Sequence, residues 1–409
     1  MSPKISRRKL IESLGAASAA AALPGWAQQA PAFVRGTLGD PLPSGLFSLG
    51  VGSGDADEDS VVLWTRLAPD PLNGGGMPQR PVRVRYRLAH DPGMGRVFRT
   101  GEVWAIPETG HVVRLQLAGL RPDSWYWFDF EVQGARSRVG RTRTFSPARR
   151  HCPNLRFALV SCQDYEAGYY PAYRDMLSQQ LDFVLHVGDY IYESGASSTP
   201  LILARMHQGA EIFSVDDYRN RYALYRLDAD LQDVHAQLPF YCVWDDHEVD
   251  NNYAGAIAET TAPYQGVAFR QRQRNAYQVY LESMPLRRHG RDLLKSGSGP
   301  DDAVRIYREF QFGDLATLQL LDTRQYRTDQ PAGDGFGSTD PDARAIEPVL
   351  GEVLYDAAGI QNATATLLGT EQEPADHGHA LEPDQSRSPA DRTEPCDPRS
   401  PEGGNPVAV

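Results

Sequence analysis

Three apolar runs, each ending abruptly on polar residues, organise this chain. Leu155-Arg156-Phe157-Ala158-Leu159-Val160 gives way to Ser161-Cys162-Gln163-Asp164. Leu181-Asp182-Phe183-Val184-Leu185-His186-Val187 delivers Gly188-Asp189-Tyr190-Ile191-Tyr192-Glu193, and Phe240-Tyr241-Cys242-Val243-Trp244 delivers Asp245-Asp246-His247-Glu248. A short continuous apolar run bounded by turn-forming residues reads as an interior strand covered on both faces. Amphipathic stretches separate the runs: the pattern predicts helices over 171–180, over 214–237 with Ser214 and an acidic first turn at its start, and over 266–282. A further buried run, 315–321, ends on Asp322-Thr323-Arg324. Strands alternating with helices predict an α/β domain whose polar residues gather at the strand exits.

The region before it has another rhythm. Between residues 47 and 145, short runs with period-two alternation stand between Gly and Pro clusters. They are Val61-Val62-Leu63-Trp64-Thr65-Arg66, Val82-Arg83-Val84-Arg85-Tyr86-Arg87-Leu88, a run over 111–117 and another over 125–132. This predicts a separate all-β module, a small sandwich of the immunoglobulin or fibronectin type. Trp125 and Trp127 offer faces for sugars, but core packing and contact between modules are their expected work. A basic, Pro-containing linker over 146–154 divides the two patterns.

Composition narrows the classes. The chain has 409 residues, 41% hydrophobic and 23% charged, which leaves room for two or three domains. No stretch reaches the roughly 20 apolar residues of a membrane helix. A formal charge of −12 argues against a nucleic-acid-binding surface and against anionic membranes. An anionic substrate must then be drawn by locally held cations. Ser6-Arg7-Arg8-Lys9-Leu10-Ile11, the Ala-rich run behind it and Gly25-Trp26-Ala27 look like a twin-arginine export signal over residues 1–30. The expected partner is the twin-arginine (Tat) export machinery, and the destination the periplasm or beyond. The working unit is expected to be a monomer. Cys152, Cys162, Cys242 and Cys396 lack paired spacing, so a zinc knuckle is unsupported; in an exported protein Cys152 or Cys242 could find a disulfide partner.

Asp189, at the lip of the central run, is the first candidate metal ligand, with Gly188 giving the backbone room to turn. Tyr192, three residues on, could return a hard phenolate oxygen to the same point. Gly-Asp alone is equally an ordinary turn; the three exits together make a constellation. Read together with Asn251-Asn252-Tyr253 and Leu321-Asp322-Thr323-Arg324-Gln325-Tyr326-Arg327, they resemble the PhoD-like phosphatases, calcineurin-like metallophosphoesterases akin to the purple acid phosphatases. The resemblance runs over about 46–373. It implies a double β-sheet sandwich flanked by helices, behind a small all-β immunoglobulin- or fibronectin-like domain.

It also implies a phosphoester substrate and a ligand set. Cys162, as a thiolate, with Asp189 and Tyr192 would hold an iron(III); Asp189, as a bridge, with Asp246 would hold one or two calcium ions. His247 would contact the phosphate or protonate the leaving oxygen. Arg324 is either a phosphate clamp or the salt-bridge partner of Asp322 or a neighbouring acid. Asp164 and Asp245 are expected to support the site by hydrogen bonds, and His186 to be a packed core histidine.

The expected domains are 46–146 for the sandwich and 154–373 for an incomplete metallophosphatase domain. Residues 374–409, rich in Pro and charge, are expected to be disordered. The family would place a Gly-Asp-x-His motif there; His377-Gly378-His379 has no strand before it. The switch is what a shifted frame or a truncated gene would produce. Two other functions stay open: a phospholipase D-like diesterase, and a catalytically defective exported binding protein that works through its sandwich.

Overall fold

A computed structural model describes residues 40–197, 204–259, 266–287 and 304–329. The export signal, the tail and residues 330–373 lie outside the described residues. Cys152, Cys162 and Cys242 are unpaired, the first and last of them buried, and Cys396 lies outside. No helix among the described residues is long and apolar enough to cross a membrane.

The first module contains β1 (Val51–Gly54), β2 (Val61–Arg66), β3 (Val82–Ala89), β4 (Val97–Ala105), β5 (Val112–Leu117), β6 (Trp125–Val132), β7 (Ala135–Arg136) and β8 (Gly140–Arg143). One sheet runs β4-β3-β6-β7, with β8 also paired to β6. Ahead of β6, Tyr126 Oη accepts from Arg121 N (2.8 Å) and donates to Arg121 O (3.1 Å), which pins the turn as in sandwich domains. Trp125 lies beneath the guanidinium of Arg141, 4.0 Å from the ring centre, and Arg141 Nε bonds Gln237 O in the second module. Contact between modules is the work of this tryptophan.

The second module contributes β9 (Phe157–Val160), α1 (Pro171–Met176), β10 (Phe183–His186), α2 (Val215–Arg226), α3 (Ala229–Gln237), β11 (Pro239–Cys242), α4 (Val267–Ser283), β12 (Arg308–Phe312) and β13 (Ala316–Leu320). Its strands β9, β10 and β11 do not form a sheet of their own. The order is β5-β2-β1-β11-β10-β9, with β1 parallel to β11 through the pairs Ser53 with Pro239 and Gly54 with Phe240. The all-β first module is not closed off from the second, because three of its strands extend the sheet that carries the strand exits. Just beyond β1, Asp55 is fully buried and takes a two-point contact from Arg308, at 2.9 and 2.7 Å. A buried charge pair of this kind is costly to break from one side.

β10 shows why the apolar run reads as interior. Phe183 and Leu185 face one core with Phe145, Tyr241, Phe310 and Phe312, whereas Val184 faces the other, beneath the helices. His186 shares that second face at 1% exposure, and burial pulls its pKa down to about 3. It is the packed core histidine expected.

Two strands differ from their reading. β9 is the last strand of its sheet among the described residues, and Phe157 and Leu159 stand 47% and 63% exposed on its open face. β13 alternates instead of being buried throughout; among the described residues it pairs only with β12, in a two-stranded hairpin. The long helix expected over 214–237 is two helices: Asp228 Oδ1 accepts from Asp230 N and Leu231 N, which ends α2 and caps α3. Ser214 starts α2 with a reciprocal capping box, Oγ accepting from Asp217 N and Asp217 Oδ2 accepting from Ser214 N. Ser214→Ala is expected to cost about 1 kcal/mol in denaturant unfolding, with no change in the site.

Candidate metal centre

β9, β10 and β11 are mutually parallel, so their C-terminal ends open on one edge of the sheet. Ser161-Cys162, Gly188-Asp189 and Asp245-Asp246 follow these ends, and the central position falls to Asp189. The turns are tight. Cys162 and Asp189 both adopt left-handed backbone (φ 54°), which non-glycine residues take up at a cost. Cys162 N donates to Gly188 O at 3.1 Å, and Gln163 N to Asp189 O at 3.2 Å. Gly188 has φ 119°, and a Cβ there would lie 2.4 Å from the Asp245 Cβ. Only glycine lets the two exits approach this closely.

A single carboxylate underpins the arrangement. Glu248, 1% exposed, accepts from Asp189 N (3.1 Å), Tyr190 N (2.7 Å) and Asp245 N (2.9 Å). Burial raises its pKa to about 8, with the charge of Asp189 adding to the effect. Glu193 plays the matching part for His247: its Oε2 lies 2.7 Å from His247 Nδ1, and its Oε1 accepts from Asn251 N. Both glutamates stand in the sequence words quoted above, yet nothing in residue type or spacing distinguishes a carboxylate that holds backbone amides from one on the surface.

Around Asp189 the expected residues assemble. Tyr192 Oη lies 3.4 Å from Asp189 Oδ2, and the charge of the same carboxylate adds to burial in raising the Cys162 thiol. Donor atoms of Asp189, Asp246 and His247 all fall within 4.8 Å of one another. The resemblance gives His247 the phosphate or the leaving oxygen; its ring also lies within reach of the two carboxylates as a candidate cation ligand. With Nδ1 engaged by Glu193, Nε2 is the nitrogen left for the site. Asp246 Oδ2 accepts from Asn252 N, and Arg324 Nη2 reaches its Oδ1 at 3.3 Å while Nε holds Asp245 at 2.5 Å. Asp245 thus supports Arg324, whereas among the described residues Asp164 accepts only from Glu166 N, in its own turn.

Arg324 is therefore bound to neighbouring acids, although Asp322 is not the partner. Asp322 is fully buried and organises the turn, accepting from Trp244 Nε1, Arg324 N and Gln325 N. Arg324 Nη1 is buried with no hydrogen-bond partner among the described residues and remains a donor for a further oxygen anion.

The electrostatics favour a cation. Burial raises Asp189 to about 6; His247 opposes this, and Asp246 and Asp245 add to it. Burial lifts the Cys162 thiol too, and desolvation with the nearby anions carries Tyr192 well above the usual phenol range. Burial works against the imidazolium of His247, but Glu193, Asp246 and Asp189 outweigh it and raise the ring to about 9. Asp189 Oδ1 is buried without a hydrogen-bond partner among the described residues. A carboxylate lobe without a partner, beside a thiol and a phenol that only a positive charge would ionise, is the environment a bound cation relieves. The residues present fit a metal.

The sheet edge, its three polar exits and the acidic centre define a metallophosphoesterase-like α/β protein behind an all-β module. The PhoD-like phosphatase model matches residues 157–375, and the model of that family's N-terminal domain matches residues 35–146. The chain belongs to the PhoD-like phosphatase family. It is 44% identical over 331 residues to alkaline phosphatase D of Bacillus subtilis (strain 168), an alignment covering 80% of this chain and 52% of that protein. The solved structure of PhoD superposes with a TM-score of 0.72 at 43% identity, over 82% of this chain and 60% of that one. The chain thus spans about half the length of the curated relative it matches.

Proposed function

We propose that this chain is an exported, metal-dependent phosphoesterase of the alkaline phosphatase D type, acting on phosphodiesters, phosphomonoesters or both. Cys162, Asp189 and Tyr192 would hold iron(III), and Asp189 with Asp246 would hold calcium. Such cations, when bound, withdraw charge from the phosphoryl oxygens and lower the pKa of water, so that hydroxide is present near neutral pH. The chain's own residues do the remaining work. Arg324 offers its spare Nη1 to a phosphoryl oxygen while Asp245 and Asp246 fix its plane. Glu193 fixes His247 with Nδ1 protonated, which turns Nε2 toward the leaving oxygen. Export would use the twin-arginine route to the periplasm or beyond. One observation carries the reading: the buried Oδ1 of Asp189, without a hydrogen-bond partner among the described residues, at the meeting point of three strand exits.

The test is metal analysis of the purified chain, followed by release of nitrophenol from bis(4-nitrophenyl) phosphate and from 4-nitrophenyl phosphate. Bound iron and calcium, with hydrolysis that a chelator abolishes, are expected. A metal-free protein that hydrolyses neither ester would overturn the proposal. His247→Asn is expected to lower kcat about 10²-fold with metal content unchanged. Loss of metal together with turnover would move His247 into the ligand set.

A further inference from the structure

Beyond the candidate ligands, the exits of β9 and β10 are tied to α2. Tyr165 stands three residues past Cys162, and Tyr192 three past Asp189. Neither belongs to a helix or strand, so their backbone groups have no ladder to enter and must be satisfied otherwise. One side chain serves both. Tyr225 Oη, on α2 and fully buried, accepts from Tyr192 N at 3.1 Å and, at a longer 3.4 Å, from Tyr165 N. With two amides aimed at this oxygen, its own proton goes to His207 Nε2, 2.9 Å away. His207 is fixed in turn, because Glu166 Oε1 accepts from His207 N at 2.8 Å.

Arg221 lies one turn before Tyr225 on the same face of α2 and is 2% exposed. Its Nη1 donates to Tyr192 O and, at 2.8 Å, to Ser194 O. Both backbone polar groups of Tyr192 are thus held by α2 side chains four residues apart.

The clamp grips the backbone, and its effect falls on the phenol. Tyr192 Oη lies 3.4 Å from Asp189 Oδ2, and the ring centre stands 4.2 Å from that of His247. This oxygen is at the far end of a rigid ring, so a small backbone rotation at Tyr192 becomes a larger displacement of Oη. A working site tolerates only about 0.5 Å of such displacement. We infer that Tyr225 and Arg221 are positioning residues of the metal centre, which fix the Tyr192 phenol at its distance from Asp189. The inference rests on the proposal above that Tyr192 is an iron(III) ligand. Tyr225 and Arg221 act through the Tyr192 backbone, not on the metal.

A tyrosinate bound to iron(III) absorbs visible light by charge transfer from ring to metal, which reports on the phenol directly. Tyr225→Phe, which removes one oxygen and keeps the ring, should shift that band in the iron-loaded chain and weaken iron affinity about 10–100-fold. In the metal-free chain it should speed hydrogen exchange of the Tyr192 amide about tenfold. Tyr241→Phe is the control: its hydroxyl is equally buried, but it donates to Ala56 O in the other core, and its loss should leave band and exchange unchanged. A band and a Tyr192 amide that Tyr225→Phe leaves as they were, or that Tyr241→Phe alters as much, would overturn the positioning role alone. An iron-loaded parent without the band would instead remove Tyr192 from the ligands, and this inference with it. Should Tyr225→Phe fail to fold, Arg221→Gln, whose shorter side chain gives up the Tyr192 carbonyl, takes its place with the same outcomes.

Discussion

Asp189→Asn is expected to reduce hydrolysis of either nitrophenyl ester at least ~10³-fold and to strip the chain of most of its metal. The replacement is nearly isosteric, so the strand exit keeps its shape and only charge is lost. At this position the charge is unfavourable in the metal-free protein. Burial raises the carboxyl, and Asp246 and Asp245 push it the same way. The metal-free variant should therefore unfold at the same temperature as the metal-free parent, or slightly above it. A matched pair of melting curves, with metal content and turnover measured on the same samples, checks both halves. Retained metal and retained turnover in Asp189→Asn would remove this residue from the centre of the site.

Glu248→Ala should damage stability and activity together. The side chain contacts no substrate in the proposed arrangement, yet it is the acceptor for three amides on two different strand exits. Deleting it leaves those N–H groups without a partner in a space closed to water. Each such group costs about 1–3 kcal/mol; part of the loss is recovered because a buried carboxyl disappears, so a net destabilisation on the order of 3 kcal/mol is expected. The backbone of Asp189 then loses its anchor, and metal affinity or turnover should fall about 10–100-fold. Unfolding in urea and metal titration are the measurements. Wild-type stability in Glu248→Ala would show that the amides find other acceptors.

Much of this was legible because it is local. β2 and β6 begin and end where the alternation of 61–66 and 125–132 places them. The exits at Cys162, Asp189 and Asp246 could be found because a break from apolar run to polar word lies within ten residues. Partner choice was not legible in this way. Nothing within Val51-Gly52-Ser53-Gly54 says that it will lie parallel to a strand nearly 190 residues later, and two glycines in four positions hide it from any strand signal. The open face of β9 was missed for the converse reason, since Phe157 and Leu159 look like core residues until the sheet order places them at its end. Glu193 and Glu248 escaped notice because accepting a backbone amide is a property of where a side chain arrives, not of what it is. The break at Leu227-Asp228 could have been read: an aspartate followed two and three residues later by free amides is a helix start.

The pairing of β1 with β11 bears on how this gene can be cut. A fragment opening at the linker near residue 150 would carry every proposed ligand, yet the strand that leads to Asp246 would lose its neighbour on one side, and Arg308 would be left in the interior without Asp55. Such a fragment should come out of the cell as aggregate. The two sequence halves that look like an accessory and an enzyme are, as a folding unit, one object.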